Sequence, residues 1–118
     1  NAEYTSKFTH YRSDFHTVDS VTNWDDCPID STRWSVVLVD HAPGERRVVD
    51  VRRLASNADI LVLHDTEPEH RYGYFWDQIW QYFKHIRHDE TYKTCWATAV
   101  SNFVDLGELN VPVLPPKY

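Results

Sequence analysis

The fold is decided by residues 34–65, which read WSVVLVDHAPGERRVVDVRRLASNADILVLHD. Residues 34–39 and 60–63 are continuous apolar runs rich in β-branched side chains. Such runs predict strands buried on both faces, as in a parallel sheet covered by helices. Between them, residues 45–58 place apolar side chains at helical spacing. The order strand, helix, strand therefore predicts a parallel βαβ unit.

The remaining sequence adds elements on both sides of this unit. Residues 72–85 carry aromatic and aliphatic side chains at helical spacing and predict a second helix. Residues 94–106 are rich in β-forming residues and predict a last strand. Residues 4–11 predict a short amphipathic helix. We expect one α/β domain over residues 1–109 and an irregular proline-rich tail over residues 110–118.

Composition limits the function classes. With 118 residues and 42% hydrophobic residues, the chain can form one domain with a real core. A net charge of −6 argues against a nucleic-acid-binding protein, which normally has a basic face. No apolar run approaches the ~20 residues of a membrane span. Cys27 and Cys95 lack metal-site spacing and could be paired or free, so the compartment stays open.

The ends of the two predicted strands carry the candidate chemistry, Asp40-His41 and His64-Asp65. In open α/β sheets, ligands bind beyond the carboxyl ends of the strands. The two carboxylates suit a hard divalent cation, with His64 as a further ligand. His41, His64 and Asp65 are candidates for proton transfer. The alternative is that both aspartates cap helices and His64 only packs.

Three further residues are candidates for substrate binding. Arg46 and Arg47 open a predicted helix, where their charge opposes the helix dipole. They could bind an anionic substrate group, pair with Asp40, or form ordinary surface ion pairs. Glu67 belongs to an acidic loop with two interpretations, a ligand-binding loop or a solvated one. Cys95 has no visible partner in the sequence, and we predict no nucleophile.

The segments WSVVLVDHAPGERR (34–47), ADILVLHDTEP (58–68) and TAVSNFVDL (98–106) resemble the C-terminal half of a class I S-adenosylmethionine-dependent methyltransferase. The resemblance implies a partial Rossmann-like fold: a mostly parallel sheet with flanking helices and a terminal antiparallel strand. It also implies S-adenosylmethionine, a divalent metal of the Mg²⁺ type, and O-methyl transfer to a small or sugar-like substrate.

The chain departs from this family at the cofactor side. Its three glycines are far apart, and a glycine-rich turn with the family's first two strands is missing. The alternative function is therefore a truncated, non-catalytic interaction module. Such a module would form a homo-oligomer through an exposed sheet edge and an aromatic surface. A metal-dependent hydrolase is a third hypothesis, but no second acidic cluster completes a two-metal site.

Overall fold

The computed structural model describes Glu3, Ser6, Lys7 and the ranges 13–68 and 73–109. The helix predicted over residues 4–11 and the tail from residue 110 lie outside these described residues. No described helix has the length and apolar character that crossing a membrane requires.

The described strands form one four-stranded mixed sheet in the order β1-β2-β4-β3. The strands are β1 (Trp34–Val39), β2 (Ala58–His64), β3 (His85–Asp89) and β4 (Ala97–Ser101). β1 and β2 are parallel, whereas β4 is antiparallel to both β2 and β3. The α/β class and an antiparallel strand after the βαβ unit are confirmed. The expectation of a mostly parallel sheet is wrong, because only one of the three pairings is parallel.

The central βαβ unit forms as predicted, with a shorter helix. Helix α1 (Arg47–Leu54) follows a 3-10 turn over Gly44–Arg46. The chain leaves the helix where the Asn57 amide donates to the Leu54 carbonyl at 2.9 Å. The Asn57 carbonyl then accepts from the amide of Trp34 at 2.8 Å, which places the start of β2 beside β1. Ala58, predicted as helical, is consequently the first residue of β2.

The predicted helix over residues 72–85 is wrong. The chain instead makes two 3-10 turns, Trp76–Gln78 and Trp80–Tyr82, and then β3. Phe75 precedes the first turn with a φ of 58°, which a continuous right-handed helix cannot contain. His85 already pairs with β4, so ladder hydrogen bonds replace helical ones. The apolar periodicity did identify buried residues, but it did not identify their backbone conformation.

One face of the sheet carries the core, and α1 with the two 3-10 turns covers it. Its buried members include Val39, Val51, Leu54, Leu61, Leu63, Ile79 and Val100. The edge strand β1 also presents apolar side chains to the other face, where Val36 is 60% and Leu38 66% exposed. Among the described strands, β1 has β2 as its one neighbour. The described part of the chain thus leaves an apolar sheet edge uncovered.

Candidate functional site

Asp40 and Asp65 meet at one end of the sheet because β1 and β2 are parallel and end side by side. The guanidinium of Arg47 lies between them. Its Nη2 donates to Asp40 Oδ1 at 2.9 Å, and its Nη1 to Asp65 Oδ2 at 3.4 Å. Of the roles considered for Arg47, pairing with Asp40 is therefore the one that the structure shows. The Arg47 side chain is only 7% exposed, whereas Asp65 is 19% and Asp40 48% exposed, so the guanidinium is buried while the Asp40 carboxylate is open to solvent.

Arg47 also fixes the backbone of both strand-end loops. Its Nε donates to the His41 carbonyl at 2.8 Å, and its Nη1 to the His64 carbonyl at 3.3 Å. The guanidinium carbon lies 4.3 Å from the centre of the Tyr74 ring. Hydrogen bonds on all three nitrogens and an aromatic face offset the cost of burying this cation. Arg47 thus holds the two loops in one arrangement.

Asp65 occupies a strained backbone position with a φ of 58°. His64 pairs with Ala97, yet the next contact runs from the Thr66 amide to the Trp96 carbonyl at 3.1 Å. Asp65 is therefore an extra residue on its strand, as in a β-bulge, which redirects a side chain. Its own carbonyl accepts from the indole nitrogen of Trp76 at 2.7 Å. Left-handed non-glycine residues are concentrated at functional sites.

His64 lies between the two carboxylates. Its Nδ1 is 3.0 Å from Asp65 Oδ1 and 3.3 Å from Asp40 Oδ1. Nδ1 itself is buried and makes no contact with hydrogen-bond geometry in the described structure. The side chain as a whole is 40% exposed, so the imidazole is reachable from solvent.

Cys95 completes the cluster, although the sequence analysis assigned it no partner. Its Sγ lies 3.2 Å from His64 Nε2 and 3.6 Å from Asp65 Oδ1. The thiol precedes β4, and the antiparallel pairing of β4 with β2 brings it to the end of β2. No local signal in the sequence marks this contact. Donor atoms of His64, Asp65 and Cys95 all lie within 4.8 Å of one another.

Glu67 lies at the same end of the sheet and is only 7% exposed. Its Oε2 accepts from the Trp96 amide at 3.2 Å. Its Oε1 is buried without a hydrogen-bond partner among the described residues. Buried polar atoms are usually paired, so Oε1 is an acceptor that the described residues leave available. The burial of Glu67 excludes the interpretation that it is a solvated loop residue.

These six residues, called the strand-end site below, are Asp40, Arg47, His64, Asp65, Glu67 and Cys95. Burial alone would raise the pKa of the Asp65 carboxyl, but the neighbouring imidazole, thiol and guanidinium outweigh it and lower that pKa. Burial, followed by the Asp65 carboxylate, raises the pKa of the Cys95 thiol. The site therefore has a firmly ionised aspartate beside a thiol whose surroundings disfavour the thiolate.

His41 and Arg46 belong to a second cluster, centred on the buried Asp50. His41 Nε2 lies 3.0 Å from Asp50 Oδ2, and its ring packs on Trp24 at 4.3 Å. Arg46 Nη2 lies 2.9 Å from Asp50 Oδ1, and its Nη1 lies 2.6 Å from Asp25. Burial lowers the pKa of His41, although the Asp50 carboxylate opposes this. The structure does not bring the His41 imidazole or Arg46 to the strand-end site.

The described glycines do not form a cradle for S-adenosylmethionine. Gly44 is the one that lies between a strand and a helix. A Cβ at Gly44 would be 2.1 Å from Cε1 of Tyr74, so the Tyr74 ring already fills its open side. Gly73 lies in a loop with a φ of 67° and has no atom within 4 Å of such a Cβ. The described glycines therefore do not supply the glycine-rich turn with which the methyltransferase family holds this cofactor.

Comparison of the chain with protein-family models, with curated proteins and with solved structures gives no match in any of the three.

Proposed function

We propose that the strand-end site is the acceptor side of a methyltransferase-like α/β domain. It would bind a divalent cation together with a small or sugar-like substrate that carries a hydroxyl group. The proposal assigns the methyl donor to none of the described residues. The reaction class is inferred from the resemblance of segments 34–47 and 58–68 to the methyltransferase family. The location of the site is inferred from the cluster of polar side chains at the strand ends.

The observation that carries the proposal is the convergence of Asp40 and Asp65 on Arg47 and His64. Carboxylates at the ends of two parallel strands suit a divalent cation, and the buried Arg47 prevents their mutual repulsion from separating the loops. A bound cation would lower the pKa of a coordinated hydroxyl group. His64, half exposed beside both carboxylates, would accept the proton from that hydroxyl.

Isothermal titration of the purified chain with Mg²⁺ and with S-adenosylmethionine tests the proposal. We expect saturable cation binding that Asp65→Asn weakens by at least about tenfold, because a ligand charge is lost. Asp89→Asn is the matched control, since Asp89 is an exposed carboxylate whose contacts are with Thr91. If neither compound produces heat, this chain has no such catalytic site.

An interaction module is the second candidate, and the uncovered edge of β1 favours it. Trp34 is 39%, Val36 60% and Leu38 66% exposed on a strand with one described strand neighbour. Exposed apolar edges of this kind pair with other strands. We propose a second copy of the chain as the occupant, since the same edge can pair with itself across a two-fold axis. Trp76 is buried at 4% exposure, so it would not contribute to an aromatic interface.

Light scattering after size-exclusion chromatography tests this second candidate. A dimer is expected for the unmodified chain and a monomer for Leu38→Lys, because a lysine on an edge strand prevents strand pairing. Val49→Lys is the control, since Val49 is 44% exposed but lies on α1. A monomeric unmodified chain would rule the assembly out. Asp65→Asn should leave assembly unchanged, which separates the two candidates.

A further inference from the structure

We propose that the strand-end site is a thiolate-containing centre for a transition-metal ion of the zinc type, with His64, Asp65 and Cys95 as ligands. The inference rests on the proposed function in one respect, since both place a cation at this end of the sheet. It differs in the ligand set and in the class of metal, because Cys95 replaces Asp40 as a ligand.

The distances between the donor atoms fit one small ion. Cys95 Sγ lies 3.2 Å from His64 Nε2 and 3.6 Å from Asp65 Oδ1. A tetrahedral ion at about 2.0–2.3 Å from its ligands keeps those ligands roughly 3.3–3.8 Å apart. Donor atoms of all three residues lie within 4.8 Å of one another, so shifts of about 1 Å bring them to the spacing of a tetrahedral ion. They come from two different strand ends, and the β2–β4 pairing fixes the separation of those ends.

The types of donor select the metal. Mg²⁺ prefers oxygen ligands, whereas thiolate and imidazole are typical ligands of zinc and its neighbours in the first transition series. Three protein ligands leave the fourth position of a tetrahedral ion open, as catalytic zinc sites do. A Mg²⁺-type ion at Asp40 and Asp65 alone would leave the Cys95 thiol unused.

Glu67 gives independent support for a cation here. Its carboxylate is 7% exposed, and its Oε1 has no hydrogen-bond partner in the part of the chain that the structure describes. Its Oε2 accepts from the amide of Trp96 at 3.2 Å, and Trp96 directly follows Cys95 in the chain. A buried carboxyl group with an unpaired oxygen at this end of the sheet is a group that a nearby bound cation would stabilise.

The same contacts could be interpreted as a nucleophile, with Cys95, His64 and Asp40 in the roles of thiol, base and orienting carboxylate. The charges argue against this arrangement. Asp65 Oδ1 lies 3.6 Å from Sγ, and a neighbouring anion disfavours the thiolate that a nucleophile requires. A divalent cation reverses that balance. On binding, a bond forms between the metal and Sγ, and the thiol proton passes to the buffer.

Asp40 then becomes a positioning residue. If Nε2 of His64 binds the ion, Nδ1 is left 3.0 Å from Asp65 Oδ1 and 3.3 Å from Asp40 Oδ1. Once Asp65 binds the ion, a small rotation of the ring lets Nδ1–H donate to Asp40, whose carboxylate Arg47 holds at 2.9 Å. A carboxylate behind a ligating histidine orients the ring and strengthens it as a ligand. A ligated His64 no longer accepts a substrate proton, which leaves Asp40, with 48% of its side chain exposed, as the nearest carboxylate for that role.

Titration of the metal-free, reduced chain with Co²⁺ tests the inference, because Co²⁺ substitutes for zinc and reports a bound thiolate as a near-ultraviolet charge-transfer band. We expect a band that saturates at one equivalent and that Zn²⁺, but not Mg²⁺, abolishes. Cys95→Ser should remove the band and weaken Zn²⁺ binding at least about 100-fold. Cys27→Ser is the matched control, since Cys27 is the other free cysteine, and it should behave like the unmodified chain.

Two milder variants keep the test valid if Cys95→Ser folds poorly, which circular dichroism would reveal. Glu67→Gln and Asp40→Asn should weaken Zn²⁺ binding by roughly 10–100-fold, while the charge-transfer band remains at saturation. A Co²⁺ titration without a thiolate band would overturn the inference. So would a band that Cys27→Ser removes.

The outcomes also separate this inference from the proposed function. Mg²⁺ binding without a thiolate band would leave the proposed function in place and overturn the zinc-type centre. A thiolate band in a chain that binds no S-adenosylmethionine would support the centre and count against the methyltransferase-like role.

Discussion

The buried Asp50 gives the sharpest stability prediction, because three basic side chains of the second cluster contact its carboxylate. The residue is 2% exposed and lies on α1. It accepts from Arg46 at 2.9 and 3.1 Å and from Arg53 at 3.1 Å, and His41 lies 3.0 Å away. Asp50→Asn keeps the shape of the side chain and removes its charge. The guanidinium groups then remain partly buried without their anion.

The expected loss follows from these contacts. Hydrogen bonds to charged groups contribute about 1.5–3 kcal/mol each, and removing one member of a buried ion pair costs about 3–5 kcal/mol. We expect the lower part of that range, about 3 kcal/mol, since Asn can still accept one hydrogen bond and Arg46 keeps Asp25 as a partner. A domain of this size is stable by about 5–15 kcal/mol, so the loss is a large share of the total.

Urea unfolding followed by tryptophan fluorescence measures the difference. Asp25→Asn is the matched control in the same cluster, since Asp25 bonds to Arg46 but its side chain is 72% exposed. An exposed pair contributes about 0–1 kcal/mol, so this variant should lose at most that much. Equal losses for the two variants, or a loss below about 1 kcal/mol for Asp50→Asn, would refute the argument from burial.

Three further predictions concern pH, packing and backbone strain. Burial lowers the pKa of His41 in the folded state, so the unfolded chain binds the proton more readily and stability should fall as pH drops below about 6.5. Urea unfolding at pH 7.5 and 5.5 should show a smaller fall for His41→Gln, and an equal fall would contradict this. Ile79→Ala should cost about 2–5 kcal/mol at a site with 0% exposure, whereas Ile86→Ala, at 39%, should cost clearly less in the same assay. In thermal unfolding, Phe75→Gly should destabilise less than Tyr82→Gly by about 1 kcal/mol, because the two side chains are similarly exposed, at 48% and 40%, and glycine relieves the φ of 58° at Phe75 alone.

The strand-end site could be predicted from the sequence only where chain neighbours and parallel strands define it. Asp40 and Asp65 follow two apolar runs joined by one amphipathic segment, and parallel strands with a short crossover must end side by side. This pattern predicts that the two carboxylates lie near each other, as they do in the structure. The same pattern predicts that His41 joins the two carboxylates, but its ring contacts the buried Asp50 instead. The sequence does not determine toward which side of the loop this side chain points.

Cys95 and Glu67 show what sequence patterns could not determine. Cys95 lies beside His64 because β4 runs antiparallel to β2 in one particular register. The resemblance implies a terminal antiparallel strand but does not fix that register. The apolar spacing of residues 76–83 is satisfied equally by a helix and by two tight turns that bury the same side chains. Local periodicity reports which residues are buried, whereas backbone pairing partners decide the conformation.

The sequence by itself determined the βαβ unit of residues 34–64, its buried strands and the polar residues at their ends. These features depend on local apolar patterns and on a short connection between the strands, and such a connection allows few chain topologies. Only the tertiary structure decided the register of β4 against β2, the left-handed Asp65, the buried Glu67 and the thiol beside His64. These depend on contacts between residues about 30 positions apart, and their geometry is set by strand register and the packing of the whole sheet.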